Sequence, residues 1–453
     1  MKIWKPVSKY LYVLVFLITI YIILGIATSA IPNELIKENS KLSSEYLLEN
    51  KENPDIIERN TSYKREYIFN YTNALMLNTA FSIDESKPLE SFLLNRNNFI
   101  PGITEKLNED TQYGLISLSN NDYYQNQAEA YYNLTHEDNN KTIKESFEYA
   151  RYWHGYLVIL RPALVFLSYE KIENISMACF VILLIICTVL MWKKVDKMSA
   201  FLFFLSFIAM NVFYTSGSIN EIACFIIMLI SSIYIILRHE RTEHIPLIFI
   251  IIGSVTNFFD LLTLPLLTFA IPACIYFLMC SKDEQGSFKK YMILFINIGL
   301  AWLIGYGITW IVKWVLVDLI CNRNVTGIAL KQIIYRMSSS DGRTEFTYSY
   351  VLSENKKFLG NQVIYFAAIV SAAIMGAGII RNRNTKLKIN PSELLIFLII
   401  AILPFIWYFA LKNHSAMHAR YTHRLVFISI YSFWMFLAKI WGFDKEDRIK
   451  DYK

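Results

Sequence analysis

Charge is what this chain has least of: Asp, Glu, Lys and Arg make up 18% of its 453 residues, against 54% apolar residues. That balance excludes a soluble globular protein, whose water-facing surface would need far more polar residues at this size. Cysteine is sparse and poorly placed for stapling. Of Cys179, Cys187, Cys224, Cys274, Cys280 and Cys321, the first five lie in apolar runs, and the long polar segment 32–174 holds none. A disulfide-stapled ectodomain is therefore excluded, and metal-type cysteine spacing is missing. No Walker loop, nucleotide-binding Gly-rich turn, Ser-His-Asp set, internal repeat or low-complexity tail is present. The net charge of +6 is not gathered into a basic stripe, so no nucleic-acid partner is expected.

What is present is a layout. One apolar span at 9–31 is followed by a wet segment rich in Asn, Glu, Lys and Tyr, and then by a dense series of further spans. The first span is long enough to cross a bilayer and is not followed by the small residues of a signal-peptide cleavage site. Ten spans are expected: 9–31, 175–192, 198–214, 220–237, 246–260, 262–280, 291–312, 363–380, 392–410 and 425–441. Basic residues alternate between the loops as the positive-inside rule requires. Lys193, Lys194 and Lys197, then Arg238 and Arg241, then Lys282, Lys289 and Lys290, then Arg381, Arg383, Lys386 and Lys388 all fall on one side. Lys2, Lys5 and Lys9 at one terminus and Lys445, Arg448, Lys450 and Lys453 at the other join them.

The expectation is an all-α, multi-pass cell-membrane protein of about ten transmembrane helices, with both termini cytoplasmic. Its parts are an N-terminal helix (1–31), a large helical external loop (32–174), and a polytopic domain (175–453) with a second external loop at 321–362. Segments 65–81 and 122–153 read as amphipathic helices suited to a membrane face. The run 156–169 is too short for a crossing and carries Arg161-Pro162 in its middle, so it reads as interfacial or re-entrant.

Three clusters and one lone lysine carry candidate chemistry. In YARYWHGYLVILRP (149–162), Tyr152 and Trp153 offer flat faces for a sugar beside His154, and Arg161 offers a cation; an aromatic belt with a snorkelling arginine is the plainer reading. In GSVTNFFDLLTLP (253–265), Asp260 stands at a turn between two spans, as a general base or as an ordinary wet-turn acid. In NHSAMHARYTHR (413–424), His414, His418, Arg420 and Arg424 form an external cationic cluster with no nearby acid in sequence. Such a cluster suits a lipid phosphate, or plain headgroup contact. His414 and His418 have metal-ligand spacing but no evident third ligand, so no metal or other cofactor is expected. Lys313, between Trp310 and Trp314, either snorkels or meets a phosphate.

With IPNELIKEN, NYTNALMLN and GSVTNFFDLLTLPLLT added to the first and third motifs, the chain resembles multi-spanning glycosyltransferases of the GT-C type. The likeness is strongest to a group in the cell-envelope loci of low-GC Gram-positive bacteria. It implies a polyprenyl-phosphate sugar donor at the outer leaflet and an envelope polysaccharide or teichoic-acid-like acceptor. It also implies an acid in the external loops that activates the acceptor. Relatives carry acids around NYTNALML, where this chain has Phe69, Asn70 and Asn73. Either Asp260 or Glu34 then serves as the base, or this member has altered activity. Arg161, Lys313, His414, His418, Arg420 and Arg424 would meet the donor phosphate, and Tyr152, Trp153, His154, Asn70 and Asn73 the sugar or acceptor. Rival expectations are a lipid-linked oligosaccharide flippase or exporter, a polysaccharide polymerase, and a non-catalytic partner of another transferase.

Overall fold

The computed structural model of the chain describes residues 4–49, 62–99, 121–136, 145–215, 218–238, 244–283, 287–342, 344–381 and 391–443. The basic loop residues Arg241, Arg383, Lys386 and Lys388, and the terminal Lys2, Lys445, Arg448, Lys450 and Lys453, lie outside the described residues.

The described chain is almost entirely helical. In order come α1 (Trp4–Ser29), α2 (Asn33–Glu49), α3 (Ser62–Phe81), α4 (Pro88–Leu94), β1 (Arg96–Phe99), α5 (Asn121–His136), β2 (Glu145–Glu148) and α6 (Leu157–Leu164). Then follow α7 (Tyr169–Leu190), α8 (Lys197–Ala209), α9 (Ile219–Arg238), α10 (Ile245–Phe259), α11 (Pro265–Asp283) and α12 (Phe288–Cys321). The chain continues through α13 (Val325–Met337), α14 (Tyr348–Leu359), α15 (Asn361–Arg381) and α16 (Pro391–Ala410). Two short helices, Lys412–Met417 and Ala419–Thr422, lead into α17 (Val426–Ile440). The departure from an all-α chain is the antiparallel pair β1–β2, in which Arg96 faces Glu148 and Phe99 faces Glu145.

Each of the ten apolar runs of the sequence falls on a helix. Six helical stretches are long and apolar enough to cross a membrane: Ser8–Ser29, Tyr169–Val195, Ile219–Arg238, Phe288–Cys321, Asn361–Arg381 and Ala419–Ile440. The apolar helices Lys197–Ala209, Ile245–Phe259, Pro265–Cys280 and Leu394–Ala410 are shorter. The eight residues of α6 span about 12 Å, well short of a bilayer's hydrocarbon core.

The first polar segment is folded, not laid on a surface. Ile36, Leu47, Leu77, Tyr131, Leu160 and Leu164 join α2, α3, α5 and α6 in one core. Residues 72–80 of α3 are buried on every side, so this stretch is an internal helix and not the amphipathic one its sequence suggests. The 122–153 stretch is likewise not one helix; it divides into α5 and β2, with 137–144 outside the described residues.

The membrane bundle is organised by its tightest crossing, α10 on α12. Gly253 of α10 faces the backbone of Trp302 and Tyr306, and Gly305 of α12 faces the backbone of Ile250. A Cβ at Gly253 would overlap the Trp302 carbonyl oxygen, and one at Gly305 the Ile250 carbonyl oxygen. With no hydrophobic force between helices in lipid, such close backbone approach supplies the packing. It also fixes the end of α10, where Asp260 sits, against Tyr306 and Trp310 of α12.

Gly253→Val and Gly305→Val are expected to remove most of the monodisperse protein seen by size-exclusion chromatography in detergent. Gly307→Ala, where nothing lies within 4 Å of an added Cβ, should elute as the parent does.

Candidate functional site

Several of the cations that look like ligands in the sequence are engaged with the main chain. Arg161 is fully buried; its Nε donates to the Thr28 carbonyl at 3.1 Å, and its Nη atoms donate to the carbonyls of Ile31 and Ala80. These carbonyls lie at the C-terminal ends of α1 and α3, where helices leave acceptors unpaired and a cation complements the dipole. Lys313 does the same for α4: its Nζ donates to Phe92 O at 3.1 Å and Leu93 O at 2.7 Å, beneath the Phe92 and Trp153 rings. Trp153 is buried among Tyr21, Phe92 and Phe258 and donates Nε1–H to the Thr309 carbonyl at 2.9 Å. His154, in a left-handed conformation (φ 54), donates Nε2–H to Tyr149 O at 2.9 Å and accepts from the Tyr156 hydroxyl at 2.8 Å. Arg161, Lys313, Trp153 and His154 thus hold the loop together, with their polar atoms engaged by the protein itself.

A second cluster of polar and aromatic side chains, partly open, forms the candidate recess. Half-buried Tyr149, Arg151, Tyr152, Trp310, Arg336 and His418 meet there. Tyr152 lies within electrostatic reach of both Arg336 and Asp260, with its ring 5.6 Å from that of Trp310. Trp310 in turn abuts Tyr306, which stacks on Trp302 at 5.1 Å. Asp260 is 1% exposed, so it is not a wet-turn acid. Its Oδ1 accepts from the Thr263 N–H at 2.8 Å and from the Thr263 hydroxyl, while Oδ2 forms no hydrogen bond of good geometry, with the Cys224 thiol and the Leu264 backbone beside the carboxyl. Nearby Asn257 Oδ1 and the Tyr306 hydroxyl are also buried without one. They lie beside each other but short of hydrogen-bond geometry.

The turn after Asp260 places Leu262 at φ 65, which brings its carbonyl near His414 without a formed hydrogen bond. His414 and His418 lie ring to ring at 4.8 Å. Arg336 Nη1 donates to His418 Nε2 at 2.6 Å, so His418 is a neutral imidazole with its proton on Nδ1. Burial and the Arg336 charge hold His414 down to about 3 and His418 well below its ordinary value. Tyr152 therefore lies near both the Asp260 carboxyl and Arg336, and Arg336 is joined to His418 and, through it, to His414.

Of the remaining predicted residues, Arg420, Arg424 and Asn73 are held in hydrogen bonds or ion pairs inside the protein. Arg420 Nη2 donates to Thr72 Oγ1 at 2.8 Å and to the Tyr421 hydroxyl, which Asn220 also reaches at 3.3 Å. Arg424 pairs with Glu221 of α9, both buried. The cationic cluster 413–424 therefore does have an acid partner, which the sequence reading did not find because Glu221 stands 203 positions away in the chain. Asn73 accepts from Tyr169 at 2.8 Å and Ser218 at 2.7 Å and donates to Glu173 at 3.1 Å. Glu34 is exposed in the first turn of α2, where an acid complements the helix dipole. Asn70 lies within α3, but its side chain is outside the described residues.

Sequence reasoning missed Arg336, Glu173, Glu221, Tyr306 and Asn257. Asn257 lay inside the motif that flagged Asp260, and an arginine in the second external loop was itself a signal. Nothing in sequence links the two glutamates to Asn73 or Arg424. Among the described residues, no group of three His, Cys, Asp or Glu is placed to hold a metal ion. No family model, curated protein or solved structure matches the chain.

Arg161→Ala removes a donor from three carbonyls, of which Thr28 keeps the Ile31 N–H at 3.2 Å, while Ile31 and Ala80 lose the Arg161 donor at about 1–3 kcal/mol each where none replaces it. Its thermal midpoint in detergent should fall far below that of Arg336→Ala, which leaves the helix ends capped. The histidines set a pH dependence. Burial, reinforced by the Lys313 charge, holds His154 at about 3, as His414 is held, whereas an unfolded imidazole protonates near 6.5. Their stabilisation is complete above pH 6.5 and is lost as the pH falls, by about 2 kcal/mol per imidazole at pH 5. Thermal midpoints measured from pH 7.5 to 5 should drop, and His154→Gln should flatten the slope.

Proposed function

We propose that the chain is a GT-C-type membrane glycosyltransferase. It transfers a sugar from a polyprenyl phosphate to a cell-envelope glycopolymer at the outer face of a ten-span fold. The observation that carries this reading is the buried Asp260 carboxyl within electrostatic reach of Tyr152, the side chain that Arg336 also reaches, with His418 and His414 beside Arg336.

In this mechanism the acceptor hydroxyl gives its proton to Asp260 Oδ2 as its oxygen attacks the anomeric carbon. The anomeric C–O bond to the lipid phosphate breaks, and the departing phosphate gains negative charge. The Arg336 guanidinium meets that charge, and the His418 and His414 imidazoles supply N–H donors in a site of low dielectric. Tyr152, Trp310 and Tyr306 present flat faces to the sugar rings, and Asn257 and the Tyr306 hydroxyl are placed to hydrogen-bond its hydroxyls. Asp260, rather than exposed Glu34, is the base because one of its oxygens is locked by Thr263 and its surroundings exclude water.

A second reading, transport of a lipid-linked oligosaccharide, draws support from the buried Glu173, Glu221 and Arg424 that extend the recess between helices. Intramembrane charges of that kind mark substrate pathways as well as active sites.

The test is sugar transfer in vesicles from radiolabelled polyprenyl-phosphate hexoses to envelope polymer of a deletion strain. Asp260→Asn should lower transfer at least about a hundredfold, and Arg336→Ala should lower it strongly, with both variants eluting as folded protein. Full transfer by Asp260→Asn would remove the assigned base. No transfer by the parent, with lipid-linked sugar still crossing the bilayer, would establish the transport reading.

A further inference from the structure

Helix α13 presents two faces of opposite character. Val325, Ala329 and Gln332 are buried, and Arg336 continues their row at i, i+4, i+7 and i+11 toward the recess. More than a third of a turn away, Leu330, Ile334 and Met337 form a second row at i, i+4 and i+7, with exposures of 52%, 71% and 52%. Beyond that row, on the side away from Arg336, Lys331 is exposed at a polar edge. An apolar row this open is costly in water and is not a random surface feature.

The preceding helix carries an exposed row of its own. On α12, Ile304, Ile308, Ile311, Val315 and Leu319 are exposed at successive i, i+4 and i+3 steps, ending with Leu319 at 78%. That helix is one of the six long and apolar enough to cross a membrane, so its exposed row faces lipid. Three residues, 322–324, separate α12 from α13. Asp318 fastens the turn by accepting from Val325 N at 2.6 Å and Thr326 N at 3.2 Å. Glu148 of β2 holds Arg323 in the same turn at 2.8 and 3.0 Å. Buried Trp314, Val317, Val325 and Ala329 then lock α13 onto α12.

We propose that α13 is an interfacial helix seated in the bilayer leaflet on the side of the first polar segment. Leu330, Ile334 and Met337 lie among the acyl chains, Lys331 reaches the headgroups, and Arg336 stands at the boundary between lipid and recess. Amphipathic helices with this division of faces lie in the membrane plane. The seat itself holds whatever reaction the recess performs, so its failure and that of the transferase reading are separable.

The test is site-directed spin labelling of the full-length protein in phosphatidylcholine–phosphatidylglycerol liposomes. Cysteines are placed singly at Leu330, Lys331, Ile334 and Met337 in a background with Cys179, Cys280 and Cys321 changed to Ser. Labels at 330, 334 and 337 should collide several-fold more with dissolved oxygen than with a water-soluble nickel chelate, and the label at 331 should show the reverse ratio. Nickel-accessible labels at 330, 334 and 337 would place the row in water and overturn the proposal. Labels immobile and shielded from both reagents would mean that protein, a second copy or a partner, covers the row, which overturns it equally. Three independent positions on one face keep the result readable if a single variant misfolds.

Discussion

Wherever the chain bends back at a level that water does not reach, its main-chain carbonyls need a donor, and side chains supply it. Arg161 closes the ends of α1 and α3 and Lys313 the end of α4, while the indoles of Trp310 and Trp314 both donate to the Arg151 carbonyl at 2.7 and 2.9 Å. Unsatisfied backbone groups in such surroundings cost several kcal/mol each. The first polar segment can fold down onto the bundle only because these donors are already in place. The loop 149–156 is held from both ends in this way, and the orientation of Tyr152 follows from it.

The second dependence is geometric. Gly253 and Gly305 let α10 and α12 approach backbone to backbone, so Asp260 and the Tyr306–Trp310 ladder sit at fixed relative positions on rigid helices. Thr263 then fixes one oxygen of Asp260. Arg336 arrives from a separate element, α13, whose position is set by Asp318 and by the Glu148–Arg323 pair. Burial alone would lift the Glu148 carboxyl, but Arg323 and Arg96 together hold it below the usual range, so the clasp stays charged down to acidic pH. The Asp260 carboxyl and the Arg336 cation thus come from different parts of the chain and are brought near one another by packing.

Much of the fold was legible in the sequence because apolar run length and breaks in it report helices directly. All ten runs became helices, and Arg161-Pro162 did mark an element too short to cross. The packing of the polar segment was not legible. Residues 72–80 contain Thr72, Asn73, Asn78 and Thr79, which look water-facing, yet each is buried and most are hydrogen-bonded inside. The site was half legible for the same reason. A cation in an apolar run looks identical in sequence whether it meets a phosphate or a helix end, so Arg161 and Lys313 drew attention that belonged to Arg336. Arg424 looked unpaired because its partner Glu221 is distant in the chain.

The account rests on one spatial claim: that a lipid-linked phosphate binds between Asp260 and the Arg336–His418–His414 cluster. Cryo-electron microscopy of the protein in nanodiscs with a saturating polyprenyl phosphate tests it most directly. The predicted result is phosphate density within hydrogen-bond reach of Arg336 and an imidazole N–H, with Asp260 Oδ2 facing the adjoining cavity. Phosphate density against Arg161 or Lys313, with the recess empty, would contradict it.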